Sequence, residues 1–281
     1  MNVLVGTSGF AFKEWKGPFY PEDLKDDGML GYYAGRYPTV EINNTFYRLP
    51  KEHVLQDWAS QVPDAFSFSI KASQRITHYA RLKPESASAL EFLLKNTATL
   101  GMRLGPILFQ LPPNLPKNLE RLQGFLALLP TARRFTIEFR HESWFDEDVF
   151  SALRSHDVAL CVAESEEFHC PNVATASWGY LRLHRQDYTD RMLDEWRATV
   201  DAHSWSDAYV FFKHDYIDGA GPLAVERFTA MVGAGAGVSL RARCHPERQR
   251  GIYAASPVAS HEDRTRDPSL PLGMTWSLRS G

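Results

Sequence analysis

The sequence predicts a single (β/α)8 barrel over residues 1–233, with one helix missing or replaced by a loop, followed by a disordered tail over 234–281. Two observations predict the barrel. Apolar runs of strand length alternate with segments of helical periodicity, which is the pattern of βα units around a parallel sheet. The chain has 281 residues, of which 44% are hydrophobic. This is enough for one large core, and barrels of this type commonly occupy about 250 residues.

Eight runs are predicted to be strands. Most are nearly continuous apolar stretches, as expected for strands that are buried on both faces. They span 3–7, 39–43, 66–71, 106–110, 135–139, 158–163, 179–184 and 208–213.

Six segments between these strands are predicted to be helices, because apolar residues recur in them at helical spacing or because they open with proline or a capping residue. They span 50–62, 84–100, 116–129, 146–155, 190–202 and 222–232. The sixth connection, 165–177, shows no convincing helical pattern, so its helix is expected to be absent or replaced by a loop.

The predicted tail differs in composition from the rest of the chain. It begins in the glycine-rich run 233–237, lacks lysine, is rich in arginine and has four prolines without apolar periodicity. Such a segment cannot bury enough apolar surface to fold alone. Its sequence resembles a translated intergenic repeat reached by frameshift or read-through, and a basic interaction tail is the alternative.

Charge and cysteine content exclude several protein classes. The net charge is −3, and the predicted barrel is mildly acidic, so the broad basic face of a duplex-DNA-binding protein is not expected. Cys161, Cys170 and Cys244 include no Cys-x-x-Cys pair, which argues against a disulfide framework or zinc ribbon. No apolar run is long enough for a membrane span and the start lacks a signal-peptide pattern, so a cytoplasmic protein without membrane contact is expected.

Polar residues at the predicted strand ends are the candidate site, because active sites of βα barrels lie at the carboxyl ends of the strands. Glu41, Glu138 and His184 are the predicted catalytic residues. The predicted substrate-binding residues are Thr7, Asn43, Thr45, Lys71, His78, Gln110, Arg140, Trp144 and Arg182. No metal ligand is assigned, and the sequence does not indicate a cofactor.

Strand periodicity predicts that several of these side chains converge. Residues two apart on a strand share one face, as do Glu41 with Asn43, and Arg182 with His184. The carboxylates would serve as acid/base groups and the cations as a clamp for phosphate or carboxylate. The structural alternative is a set of internal ion pairs that only fills the lumen of the barrel.

Several motifs resemble the YecE-like family of domains of unknown function, family 72, over about residues 2–232. The most specific is Val40-Glu41-Ile42-Asn43-Asn44-Thr45-Phe46-Tyr47-Arg48-Leu49-Pro50, joined by 6–10, 68–71, 104–113, 138–144 and 181–184. The resemblance implies a TIM barrel with a strand-end pocket, and no established activity comes with it. This chain departs from the family pattern at Phe10, Glu164, Arg185 and 213–214.

Three functions are considered. The leading hypothesis is an enzyme that uses acid/base chemistry on a small anionic substrate, such as a sugar phosphate or nucleotide-like compound. The second is a divalent-metal hydrolase or isomerase of xylose-isomerase-like type, with Glu41, Glu138, His78 and His184 as ligands, against which three nearby cations argue. The third is a non-catalytic barrel that binds a small ligand or, as a less favoured partner, nucleic acid. The sequence does not indicate an oligomeric state.

Overall fold

The computed structural model describes residues 1–164, 170–213 and 219–234. Eight parallel strands form one sheet in the order β1-β8-β7-β6-β5-β4-β3-β2, and helices surround it. The predicted (β/α)8 barrel is therefore confirmed. The strands are β1 Asn2–Thr7, β2 Thr39–Ile42, β3 Ser67–Lys71, β4 Leu104–Gln110, β5 Phe135–Glu138, β6 Ala159–Glu164, β7 Gly179–Leu183 and β8 Asp207–Phe212.

The helices of the described residues include six at predicted places and one, at 29–34, that was not predicted. They are α1 Met29–Ala34, α2 Glu52–Ser60, α3 Ala87–Thr97, α4 Leu119–Leu126, α5 Glu147–Arg154, α6 Asp190–Asp201 and α7 Ala220–Ala234. Side chains of Asn118, Asp146 and Thr189 accept hydrogen bonds from the first-turn amides of α4, α5 and α6, as N-caps do.

Helix α1 was not predicted, since it has only six residues and includes Gly31. Residues 170–178, the described part of the sixth connection, contain no helix, and 165–169 lie outside the described residues. The predicted tail from residue 235 onward, which includes Cys244, also lies outside them; Ala234 is the last residue of α7.

Strand alternation divides the core into two layers. Residues of one parity, such as Val5, Phe109 and Leu181, pack between the strands and the helices. Residues of the other parity, such as Leu108 and Tyr180, belong to a separate cluster with the interior-facing residues of the opposite strands. Because successive side chains point to opposite faces, the residue two positions beyond each interior residue lies above it, toward the strand ends.

The contact between β1 and β2 depends on Gly6 and on Tyr33 from α1. A Cβ atom at Gly6 would overlap the backbone carbonyl of Thr39. The Tyr33 hydroxyl accepts a hydrogen bond from the Thr7 amide at 2.8 Å and donates to Thr39 O at 3.1 Å. An additional parallel bridge joins Ser8 to Glu41. The unpredicted helix α1 thus supplies the side chain that links the first and second strands.

The structure also describes two of the three cysteines and the lengths of the helices. Cys161 and Cys170 are buried free thiols, as the absence of a disulfide pattern predicted. Within the described ranges, every helix is too short or too polar to cross a membrane.

Candidate functional site at the strand ends

Arg182 joins two carboxylates across the interior of the barrel. Its Nη1 donates to Glu138 Oε2 at 2.5 Å, and its Nη2 donates to Glu41 Oε1 at 2.9 Å. The exposed fractions are 4% for Arg182, 0% for Glu41 and 2% for Glu138. We call these three residues the carboxylate–arginine cluster. Such a buried network is tolerated only where nearly every charge is paired and hydrogen-bonded.

Neighbouring side chains supply the remaining donors to the two carboxylates. Glu41 accepts hydrogen bonds from Tyr180 at 2.6 Å, Ser8 at 2.8 Å and Asn43 at 3.0 Å. Glu138 accepts from Gln110 Nε2 at 2.8 Å and from Arg140 Nε at 2.9 Å. Four strands and the end of a fifth, β1, therefore contribute to a single polar network.

Both carboxylates are ionised at neutral pH. Burial alone would raise the pKa of Glu41, but Arg182 and the hydrogen bonds from Tyr180 and Ser8 lower that pKa to about 2. The pKa of Glu138 also lies well below its usual value, because Arg182 and Arg140 outweigh its burial. A general acid must hold a proton near the working pH. The low pKa values therefore argue against a general-acid role for both residues at neutral pH.

Of the cations predicted to bind an anionic substrate, Arg182 and Arg140 differ in how many of their nitrogens are already hydrogen-bonded. Arg182 donates to both carboxylates, and its Nη2 additionally lies 3.4 Å from Asn43 Oδ1. Its guanidinium is thus committed to side chains of the protein, and the structural alternative of an internal ion pair holds for this arginine. Arg140 differs, because its side chain is 45% exposed and only its Nε contacts Glu138. Within the described ranges, the two terminal nitrogens of Arg140 have no hydrogen-bond acceptor.

Lys71, at the end of β3, is a half-buried amine beside this cluster. Its Nζ lies 4.5 Å from the ring centroid of Phe46, which is a cation–π contact. No hydrogen bond or salt bridge to Nζ is formed in residues 1–164, 170–213 and 219–234. Burial, followed by Arg182 and Arg140, lowers the pKa of Lys71 to about 8 despite the opposing charges of Glu138 and Glu41. Lys71 therefore titrates much closer to neutral pH than an ordinary lysine does.

The two predicted histidines contact different parts of this site. The ring of His78 packs edge-on against Phe46 at 4.9 Å, and its Nδ1 is 2.9 Å from the Thr77 hydroxyl. Burial and Lys71 lower the pKa of His78. His184 Nε2 lies 3.4 Å from Ser8 Oγ, and burial together with Arg182 lowers its pKa to about 3. Both imidazoles are neutral at neutral pH.

Three predicted substrate-binding residues are not brought to this network. Thr7 is buried and its hydroxyl donates to Gly9 O. Thr45 is buried and bonds to the backbone oxygens of Ile42 and Lys71. Trp144 is 1% exposed, stacks on Phe139 and donates to Leu115 O. Because their polar atoms are used within the scaffold, we leave these three side chains out of the candidate site.

The chain matches the family described as protein of unknown function DUF72 over residues 4–250. This chain belongs to the DUF72 family. The resemblance read from the motifs is thereby confirmed. The match continues past 233, so the family pattern includes the first part of the segment that the sequence analysis assigned to the tail.

Relatives of this DUF72 protein include two curated proteins. UPF0759 protein YecE of Escherichia coli (strain K12) is 36% identical over 146 residues, which cover 50% of this chain and 53% of YecE. UPF0759 protein YunF of Bacillus subtilis (strain 168) is 26% identical over 164 residues, covering 54% of this chain and 56% of YunF. The chain thus spans about half the length of the curated relatives it matches.

Solved structures share the fold of this DUF72 protein. A DUF72 family protein from Thermotoga maritima MSB8 has a TM-score of 0.72 at 26% identity, covering 83% of this chain and 100% of that chain. Another, from Enterococcus faecalis v583, has a TM-score of 0.70 at 15% identity, covering 83% of this chain and 96% of that chain.

Four residues around the site of this DUF72 protein were not predicted from the sequence: three polar residues of the network and the aromatic residue beside Lys71. Ser8 and Tyr180 donate to Glu41, Ser69 Oγ lies 2.7 Å from the Tyr180 hydroxyl, and Phe46 contacts Lys71. A parity argument could have found Tyr180, since it lies two positions before Arg182 on the same strand. The same argument pairs Ser69 with Lys71.

The residues of this site are not arranged as the ligands of a metal ion. In the part of the chain that the structure describes, no three side chains of histidine, cysteine, aspartate or glutamate are grouped to hold a metal ion. The Arg182 guanidinium lies between the carboxylates of Glu41 and Glu138, where a shared cation would have to be. The donor set therefore does not fit the metal-ligand hypothesis.

Proposed function

We propose that this DUF72 protein is a cytoplasmic enzyme that acts on a small anionic substrate, such as a sugar phosphate or nucleotide-like compound, at the strand-end mouth of the barrel. Lys71 transfers a proton, Arg140 holds the anionic group of the substrate, and Asn43 adds a hydrogen bond. Glu41 and Glu138 act as positioning residues, because they fix Arg182 and set the local charge.

The observation that carries this proposal is the state of Lys71. Its amine is half-buried, lies over the Phe46 ring at 4.5 Å and has a pKa of about 8. A proton-transfer group is most effective when its pKa lies near the working pH. Perturbed amines of this kind are concentrated at functional sites, because burying one unpaired costs free energy that a structural role does not require.

Arg140 supports an anionic substrate. Its guanidinium is anchored at one end by Glu138 and exposed at the other. A guanidinium can bind carboxylate or phosphate through two parallel hydrogen bonds. The geometry favours this reading over the metal hydrolase or isomerase, whose proposed ligands Glu41 and Glu138 are already paired with Arg182.

The test combines ligand binding with turnover. The full chain would be screened by thermal shift against phosphorylated and carboxylated metabolites, and depletion of metabolites from a defined mixture would be followed by mass spectrometry. We expect stabilisation by one class of anions and depletion of a member of that class. Lys71→Met should abolish turnover, and Arg140→Gln should weaken binding.

Matched controls lie outside the barrel mouth. Lys95→Met on α3 and Arg191→Gln on α6 remove the same charges from exposed positions, and both variants should behave as the original protein does. Binding without depletion of any metabolite would favour the non-catalytic barrel. Turnover that persists in Lys71→Met would remove this lysine from the mechanism.

A further inference from the structure

We propose that Lys71 Nζ forms an imine with a small carbonyl compound that carries a carboxylate or phosphate group. This inference rests on the proposed function, because it uses the same mouth and the same lysine. It goes further in naming the reactive group of the substrate and in making Lys71 the point of covalent attachment.

The placement of Lys71 favours attack on a carbonyl carbon. A lysine amine acts as a nucleophile once it has lost its proton, and within the described ranges no hydrogen bond or salt bridge to Nζ holds that proton in place. Its contact is the face of the Phe46 ring. The Phe46 face and the His78 ring, together with the Lys71 stem, make the surroundings of Nζ partly apolar. Such surroundings suit a small organic substrate better than a hydrated ion.

The surrounding charges keep a usable fraction of the amine neutral. Burial, Arg182 and Arg140 lower the pKa of Lys71 to about 8, against the opposing effects of Glu138 and Glu41. At neutral pH this gives on the order of 100-fold more neutral amine than an ordinary lysine has. His78 also faces Lys71, and its own pKa is lowered, so it adds no positive charge at neutral pH.

The covalent step conserves atoms and charge. The Lys71 ammonium first releases one proton, and the amine lone pair then adds to the carbonyl carbon to form a C–N bond. The carbonyl oxygen takes up the released proton and a second proton from the nitrogen, and leaves as water. One ammonium and one carbonyl compound thus yield one iminium and one water. The product keeps a single positive charge over the Phe46 ring, where cation–π attraction still applies.

Arg140 explains why the carbonyl compound would be anionic. Its charge acts on Lys71 and on His78, and its exposed terminal nitrogens have no acceptor within the described ranges. A carboxylate or phosphate bound there would hold the attached carbonyl group near Nζ. The shared chemistry is an anion close to a carbonyl, which a 2-oxo acid or a phosphorylated aldehyde would supply.

The experiment is reductive trapping on the full chain. The protein would be incubated with pyruvate, glyoxylate, glyceraldehyde 3-phosphate or neutral propanal, reduced with sodium borohydride, and mapped by peptide mass spectrometry. We expect one secondary-amine adduct per chain at Lys71, with a yield about tenfold above that of any surface lysine at neutral pH. Comparison of the 2-oxo acids with the phosphorylated aldehyde identifies which anion is accepted.

Variants test the assignment of each group. Lys71→Arg and Lys71→Met should lose the adduct, and Lys95→Arg should change nothing. Arg140→Gln should reduce the yield more for the anionic probes than for propanal, because the loss of its charge raises the pKa of Lys71 for every probe whereas the anion contact is lost only for the charged ones. An adduct spread evenly over surface lysines, or absent from Lys71, overturns the imine. If anions still bind at the mouth in a Lys71- and Arg140-dependent manner without trapping, the imine fails and the proposed function stands; if neither binding nor trapping depends on these residues, both fail.

Discussion

Arg182 and Glu138 form a buried ion pair in which Nη1 lies 2.5 Å from Oε2, and the same guanidinium also binds Glu41. The pair joins β5 to β7 past the intervening strand β6, so it links two strands as well as two charges. Two residues predicted to be catalytic, Glu41 and Glu138, thus also link strands at the mouth of the barrel.

Replacing Arg182 by Met should destabilise the fold strongly. Both carboxylates would remain buried without their cation, and breaking such a pair by removing one partner typically costs about 3–5 kcal/mol. Urea unfolding would measure the loss. The control Arg191→Met removes an exposed arginine paired with Glu195 and should change stability by less than about 0.5 kcal/mol. Equal effects of the two substitutions would contradict the buried cluster.

Glu41→Gln should weaken the dependence of the free energy of unfolding on pH in the acid range. The pKa of Glu41 is lowered to about 2 in the folded protein from 4.5. Its stabilising contribution is therefore present above about pH 4.5 and lost as pH falls through about 2, and such a shift corresponds to about 3 kcal/mol. Urea unfolding across this range should show the variant less stable near neutral pH and converging on the original protein in acid. The exposed control Glu195→Gln should leave the profile unchanged.

Lys71→Met should stabilise the folded protein near neutral pH, whereas Glu41→Gln should destabilise it. The pKa of Lys71 is about 8 in the folded protein and 10.5 ordinarily, so the folded state is penalised for its charge below about pH 8, by at most about 3 kcal/mol. The variant keeps an apolar stem against Phe46 without this penalty. We expect it to be more stable at pH 7, with the gain disappearing as pH rises from about 8 to about 10.5. A gain that does not change with pH would show that the charge of Lys71 is not its source.

Gly6→Ala should be destabilising and Gly124→Ala stabilising. The new methyl group at position 6 would overlap the Thr39 carbonyl, whereas at position 124, within α4, nothing lies within 4 Å. Forcing β1 away from β2 should cost about 2 kcal/mol or more, and replacing a mid-helix glycine should gain about 0.5–1 kcal/mol. Thermal unfolding of the two variants provides the comparison. A neutral Gly6→Ala would mean that β1 and β2 approach less closely than described.

Much of the barrel follows from local sequence. Strand-length apolar runs and helical periodicity identified all eight strands, because burial on both faces leaves a strong signal in each segment. Helix α1 was missed because six residues with a central glycine carry little periodicity. Tyr33 within it nevertheless bridges β1 and β2, a role that depends on contacts between distant segments.

The alternation of side chains along each strand explains which strand-end residues face the barrel interior and join the polar network, and which do not. Glu41 and Asn43 share the interior face, and so do Tyr180 and Arg182. Thr7 has the parity of Val5, which faces the helices, so its hydroxyl is directed to Tyr33 and Gly9 instead. Thr45 and Trp144 lie in turns beyond their strands, where the two-residue rule no longer applies.

The sequence by itself determined the fold, the face on which each strand residue lies and the end of the barrel where the charged residues gather. Only the tertiary structure decided how those charges are shared. Arg182 pairs with both carboxylates and helps to keep them ionised, while Lys71 is left beside Phe46 with a lowered pKa. The strength of an ion pair depends on the distance between the charges and on their burial, and the distances between residues far apart in the sequence are set by closure of the barrel.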